Sequence, residues 1–184
     1  GNIFKAQKDW ARANEMFEKS LEIAKEISHK PGMVNSYTSL GDIRLEMKQF
    51  DLALDYYKNA KNIDEEMKVV GGQSRVLYKM GVVYLEKMNY AMVISLAKKS
   101  LDLAASIHEP YLQTNSSELL WKAYRGLKDF PNALKYHERY KLLEDSLSDG
   151  DFEKSMIEKE TMFKLKAEQE KKDAVALKEL QKQK

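Results

Sequence analysis

The sequence predicts an all-α fold, a solenoid of antiparallel helix hairpins followed by a long C-terminal helix. Residues of similar character recur every forty positions, and within each unit the apolar residues recur at the helical spacing of three and four. Helix breakers are also scarce, with three prolines and eight glycines among 184 residues. Long helices can therefore form along most of the chain.

Composition and charge exclude several classes of function. Hydrophobic residues make up 43% and charged residues 33%, which suits a packed core with long solvated helix faces. The net charge of +2 gives no general attraction to phosphate, so we expect no nucleic-acid partner. Cysteine is absent, which excludes disulfides and thiolate catalysis. No run of eighteen apolar residues occurs, so we expect no membrane insertion within this chain.

The forty-residue repeat is visible as aligned columns of like residues. One column is entirely aromatic, although aromatic residues are only 10% of the chain, and four other columns are small or apolar. The aromatic column is Trp10, Phe50, Tyr90 and Phe130. The small column is Ala13, Ala53, Val93 and Ala133, and the apolar columns are Ile3, Ile43, Val83 and Ala123, then Ile23, Ile63, Leu103 and Leu143, then Ile27, Met67, Ile107 and Leu147.

Each unit contains two helices, named helix A and helix B. Helix B of the second unit begins near Phe50, and its apolar residues step by three and four as far as Met67. Helix A precedes it with its own apolar stripe around Leu40. The polar pair Lys48 and Gln49 joins the two helices. Small residues in the column of Ala53 allow them to approach closely.

Breaker residues predict the unit boundaries. Pro31-Gly32, Gly71-Gly72 and Pro110 are expected to end the first three B helices, with Ser74 as the N-cap of the helix that follows. Ser148-Asp149-Gly150 is expected to end the fourth. The domain prediction is therefore a solenoid over 1–150, with a truncated first repeat and three full repeats, and a separate segment over 151–184.

The pattern of Leu40-Gly41 followed by Phe50, Ala53 and Tyr57 resembles the tetratricopeptide repeat, and the resemblance covers roughly residues 1–147. It implies a right-handed superhelix with a concave groove that binds peptides or proteins. The usual repeat has about 34 residues, and the longer form is similar to repeats of kinesin light chains and of bacterial peptide-sensing regulators. Trp121 replaces the small residue of the family pattern, so we expect a wider contact between A helices there.

Residues 151–184 depart from the repeat and alternate acidic with basic side chains, which predicts one long helix. It can cap the last repeat, or it can be a signalling or coiled-coil helix that permits homodimerisation. The run from Tyr136 to Leu147 with this helix is similar to the end of the sensory region in bacterial two-component sensors. That resemblance implies a role in signal transduction, with a periplasmic location favoured over a cytoplasmic one.

Catalytic and metal-binding patterns are lacking in the sequence. His29, His108 and His137 lie in different units, and no pair has the spacing of metal ligands. His137 takes the position of Phe17 and Tyr57, so a packed imidazole is expected. No Gly-Lys-Ser or Gly-Lys-Thr follows Gly71-Gly72, which excludes a phosphate-binding loop of that type. We therefore predict no enzyme activity, no cofactor and no metal.

Residues between the packing positions of the A helices are expected to face the groove. The candidate binding residues are Asn35, Ser39, Asp42, Arg75, Tyr78, Lys79, Asn115 and Lys122, and Leu119 shares this predicted face. Arg75 and Lys79 lie four residues apart on one helix face and resemble the basic pair of carboxylate-clamp repeats. The alternative is a solvated pair, or one bridged to Asp42 or Glu118.

The function predicted from sequence is thus a non-catalytic module that binds a peptide or protein segment in its concave groove. A structural scaffold that assembles through the C-terminal helix or through one end of the solenoid is the alternative.

Overall fold

A computed structural model of the chain describes residues 9–148 and four helical residues beyond them, Thr161, Met162, Leu165 and Lys172. The continuous part consists of seven α-helices without strands. Their bounds are α1 Trp10–Glu26, α2 Lys30–Glu46, α3 Phe50–Glu66, α4 Val70–Glu86, α5 Tyr90–Ser106, α6 Pro110–Gly126 and α7 Phe130–Ser148. In the terms used above, α2, α4 and α6 are A helices and the odd-numbered helices are B helices.

Each helix begins twenty residues after the one before it, and the aromatic column supplies the first residue of every B helix. Three-residue joints connect the helices, and the middle residue of each joint has left-handed backbone geometry. These residues are Ser28, Lys48, Lys68, Met88, His108 and Lys128, with φ between 52° and 60°. At the second joint, the amides of Lys48 and Gln49 donate to the carbonyls of Leu45 and Arg44, each over 2.8 Å. Such bonds satisfy the last carbonyls of a helix and stop it.

The predicted unit boundaries were wrong by several residues. Pro31-Gly32, Gly71-Gly72 and Pro110 lie in the first turns of α2, α4 and α6, and the preceding helices end at Glu26, Glu66 and Ser106. Proline is tolerated there because the first amides of a helix have no intrahelical acceptor. The stop signal is instead the left-handed joint residue, which is never glycine in this part of the chain. Ser74 is not an N-cap, because it lies inside α4 and is fully buried.

From α1 to α6, each helix packs against the next as an antiparallel hairpin, which confirms the predicted all-α fold. Ala13, Ala53 and Val93 are completely buried, as the close approach of paired helices requires. Not every apolar column is buried, since Ile23 on α1 is 57% exposed and Ile27, directly after α1, is 68% exposed. In the middle of the stack, Ser74 and Ser100 exchange hydrogen bonds from each hydroxyl to the other's carbonyl, over 2.8 and 2.7 Å.

The A helices are not evenly spaced. Helix α4 packs directly against α6, whereas no comparable contact joins α2 and α4 among the described helices. A β-carbon on Gly81 would lie 2.7 Å from Leu119 of α6, so Leu119 is buried there rather than facing a groove, contrary to the sequence prediction. The equivalent Gly41 is instead covered by the ring of Tyr57. We attribute the wider α2–α4 gap to Tyr57, whose counterpart on α5 is the small Ala97.

The chain divides into two compact units, Gly1–Tyr140 and Lys141–Lys184. The expected long helix, coiled coil or dimerising segment over 151–184 lies outside the described residues, apart from the four helical positions named above. The truncated first A helix, expected before residue 9, also lies outside them. The wider contact between A helices that was expected at Trp121 stays a prediction. Within the described part of the chain, no helix combines the length and apolar character needed to cross a membrane.

Candidate functional site

An open cavity of about 560 Å³ lies between the A helices α2 and α4. The C-terminal end of α3 and one aromatic side chain of α1 complete its walls. The lining residues are Phe17, Pro31, Val34, Asn35, Thr38, Ser39, Asp64, Met67, Val69, Gly72, Arg75 and Val76. The cavity follows from the α2–α4 gap described above, which leaves both helix faces accessible.

Three of the eight candidate residues meet in this cavity: Asn35, Ser39 and Arg75. Asn35 and Arg75 are exposed, and Ser39 is half-buried. Among the described residues, no side-chain hydrogen bond or ion pair engages Arg75. Its guanidinium, which carries five donors, is therefore available to a ligand.

Lys79 and Asp42 form a second, separate cluster. The Lys79 ammonium lies 2.7 Å from Oδ1 of Asp42, and the hydroxyl of Tyr57 donates to the same oxygen over 2.7 Å. Burial, together with the Asp42 carboxylate, holds the pKa of Tyr57 well above its usual range, so its hydroxyl remains a donor. Arg75 and Lys79 do not offer two free cations. The alternative prediction was a salt bridge from this pair to Asp42 or Glu118, and Lys79 forms the bridge to Asp42.

The remaining candidates lie outside the cavity. Tyr78 is half-buried against the core between α4 and α6, and burial raises its pKa. Lys122 is bridged over 2.7 Å to Glu118, one turn earlier on α6. Asn115 is half-buried on the same helix. The eight residues therefore do not form one continuous site around the cavity.

Asp64 is a lining residue that the sequence analysis missed. It lies on α3, is only 2% exposed, and its Oδ2 is enclosed without a hydrogen-bond partner among the described residues. Burial raises the pKa of this carboxyl group, and the positive charge of Arg75 partly opposes that change. A signal was available, because Asp64 occupies the forty-residue column of Ala24, Ala104 and Glu144, and both members of this column on the neighbouring B helices are alanine.

His29 and His137 make structural contacts. Nδ1 of His29 accepts from the amide of Gly32 over 3.2 Å and so caps α2. His137 packs against Trp121 with ring centroids 4.6 Å apart, as expected for a packed imidazole. No cluster suited to a metal ion occurs in the described part of the chain.

Comparisons with known proteins agree with this architecture. Residues 1–66 match the family model described as tetratricopeptide repeat. The fold is similar to that in the crystal structure of BtubC (BKLC) from P. vanneervenii, with a TM-score of 0.73 and 18% identity. The similarity covers 80% of this chain and 61% of that one, so the chain spans about three fifths of that relative's length. No curated protein matches the sequence.

At 18% identity the structural likeness shows the fold alone, and the family match supplies the sequence signature. Together they show an all-α fold of the tetratricopeptide-repeat type, in which residues 1–66 are similar to the sequence of that repeat family.

Proposed function

We propose that the chain is a non-catalytic module that binds a peptide or protein segment in the cavity between α2 and α4. Tetratricopeptide repeats generally mediate protein–protein interactions. The observation that carries the proposal is the gap between these A helices, in which Asn35, Ser39 and Arg75 line an open cavity.

The lining suits a peptide because it combines polar groups with apolar walls. The amide of Asn35 can both donate to and accept from a peptide backbone. Arg75 can donate to a carbonyl or carboxylate oxygen through charge-assisted hydrogen bonds. Val34, Met67 and Val76 supply an apolar surface for a side chain of the ligand. Peptide-binding grooves commonly pair such polar anchors with apolar pockets.

Selection of peptides from a displayed random library on the immobilised chain tests this proposal. Selected peptides should bind the wild type and lose affinity for Arg75→Glu and Asn35→Ala. Lys99→Glu is the matched control, because Lys99 is an exposed cation on α5 that does not line the cavity. Equal binding by all four proteins would place the binding surface elsewhere and refute the proposal.

We also propose that the module is the sensory or protein-interaction region of a bacterial signal-transduction protein. The support is the resemblance of the run from Tyr136 to Leu147, and of the charged segment after it, to the end of two-component sensory regions. Sequencing the reading frame around this segment provides the test. A histidine kinase or response domain downstream would support the assignment, and an unrelated enzyme domain would overturn it.

A further inference from the structure

Asp64 differs from its equivalents in the neighbouring B helices. Ala24 and Ala104 occupy the same position on α1 and α5, and both are buried. Burying a carboxylate at this position is unfavourable because the charge loses its hydration. The fourth member of the column, Glu144, is only half-buried and pairs with Lys141 over 2.7 Å. Asp64 is buried and forms no such pair among the described residues, so its presence calls for a reason other than packing.

The fold leaves room for the Asp64 carboxylate, but its Oδ2 has no hydrogen-bond donor among the described residues. A β-carbon on Gly72 would overlap the carboxyl group of Asp64, so glycine leaves the space that this side chain occupies. The side-chain amide of Gln73 donates from Nε2 to the backbone carbonyl of Asp64 over 3.2 Å, and not to the Asp64 carboxylate. Buried carboxylates normally accept several hydrogen bonds. An acceptor is thus left unused at the wall of the cavity.

Arg75 does not fill this role. Its charge opposes the rise in pKa that burial causes at Asp64, yet no ion pair within 4 Å joins the two residues. Arg75 is exposed and Asp64 is enclosed, so they offer opposite charges at different depths of one cavity. Such an arrangement matches a ligand that carries a cation at its inserted end and an oxygen acceptor further out.

We propose that Asp64 binds a primary ammonium group of the ligand peptide, while Arg75 binds a carbonyl or carboxylate oxygen of the same peptide. This inference rests on the proposed peptide-binding function and names the chemistry that the cavity recognises. An ammonium group carries three donors and is compact, so it can enter a confined pocket and pair with a carboxylate. The group can be the peptide's N-terminus or a lysine side chain.

Three probes separate these two sources. They are tetra-alanine with a free N-terminus, N-acetyl-tetra-alanine, and an N-acetylated tetrapeptide in which lysine replaces the second alanine. Binding to the full chain is followed by NMR titration. We expect the free N-terminal probe, the lysine probe or both to bind at least about ten times more tightly than N-acetyl-tetra-alanine, because only they carry an ammonium group.

Asp64→Asn keeps the side-chain shape and removes the charge. It should lower affinity for the ammonium probes at least about tenfold and leave N-acetyl-tetra-alanine unchanged. Asp55→Asn is the matched control, since Asp55 is an exposed carboxylate on the same helix outside the cavity. Thermal melting of both variants verifies that they are folded.

Equal affinity of wild type and Asp64→Asn for the ammonium probes would overturn the inference, as would their failure to bind better than N-acetyl-tetra-alanine. Library peptides that lack any ammonium group, yet depend on Arg75, would also overturn it while leaving the proposed peptide-binding function intact. If no peptide bound in a way that depends on Arg75, that result would instead count against the proposed function itself.

Discussion

Replacement of Asp64 by alanine is expected to stabilise the protein. The substitution removes an enclosed carboxylate whose Oδ2 has no hydrogen-bond partner among the described residues, and it introduces the residue found at Ala24 and Ala104 on the neighbouring B helices. A buried polar group without a partner costs about 1–3 kcal/mol in mutational data. The new space opens onto the cavity between α2 and α4, so water can enter it and little of this gain is lost to an empty void. We therefore expect a gain of about 1–2 kcal/mol, which raises Tm by about 2–8 °C for a chain of this size.

The pH dependence of this gain provides a second check. Burial raises the pKa of Asp64 above its usual value of 3.8, so the wild type loses stability as pH rises from that value through the folded-state pKa. The advantage of Asp64→Ala should therefore be larger at pH 7 than at pH 3. Calorimetry or circular-dichroism melting at both pH values measures it, with Asp55→Ala as an exposed control. An unchanged or lower Tm for Asp64→Ala at pH 7 would refute the reasoning.

Three further substitutions test the packing and the joints. Gly41→Ala should cost about 1–3 kcal/mol, because its β-carbon would lie 2.5 Å from the ring of the fully buried Tyr57. Met88→Gly should stabilise by about 1 kcal/mol, because Met88 is 73% exposed and has a φ of 54°, which glycine adopts without strain. Leu120→Ala should cost about 2–5 kcal/mol, because Leu120 is completely buried. Urea denaturation measures the free energy of unfolding of all three variants. An unchanged stability of Gly41→Ala or a lower stability of Met88→Gly would contradict the respective argument. A loss below about 1 kcal/mol for Leu120→Ala would contradict the third.

The repeat was predictable because its packing positions are periodic. The column of Ala53 and the aromatic column that begins each B helix depend only on helical spacing, which the sequence displays directly. Helix ends were less predictable, since the chain stops each helix with a left-handed residue such as Lys68 or Met88 rather than glycine. The prolines and glycines that suggested ends begin the next helix instead.

The candidate site was only partly predictable, because side-chain pairing in three dimensions decides which groups remain free. Arg75 and Lys79 lie one turn apart on the same helix, yet Lys79 is paired with Asp42 while Arg75 has no such partner among the described residues. We attribute the separation of α2 from α4 to the size difference between Tyr57 and Ala97, and its effect depends on contacts between helices rather than on spacing along the sequence. Asp64 was missed because a single acidic residue on a helix is normally solvated. The alanines at the equivalent positions Ala24 and Ala104 hint at burial, but Glu144 in the same column is acidic and half-buried, so the structure is needed to show that Asp64 is enclosed.

The most direct test of the peptide-binding account is an NMR titration of the isotope-labelled chain with a peptide selected on the wild type. The account predicts that chemical-shift changes concentrate at the cavity between α2 and α4, at Asn35, Ser39 and Arg75, and that they disappear in Arg75→Glu. Changes centred around Lys99 on α5, or unaltered changes in Arg75→Glu, would contradict it.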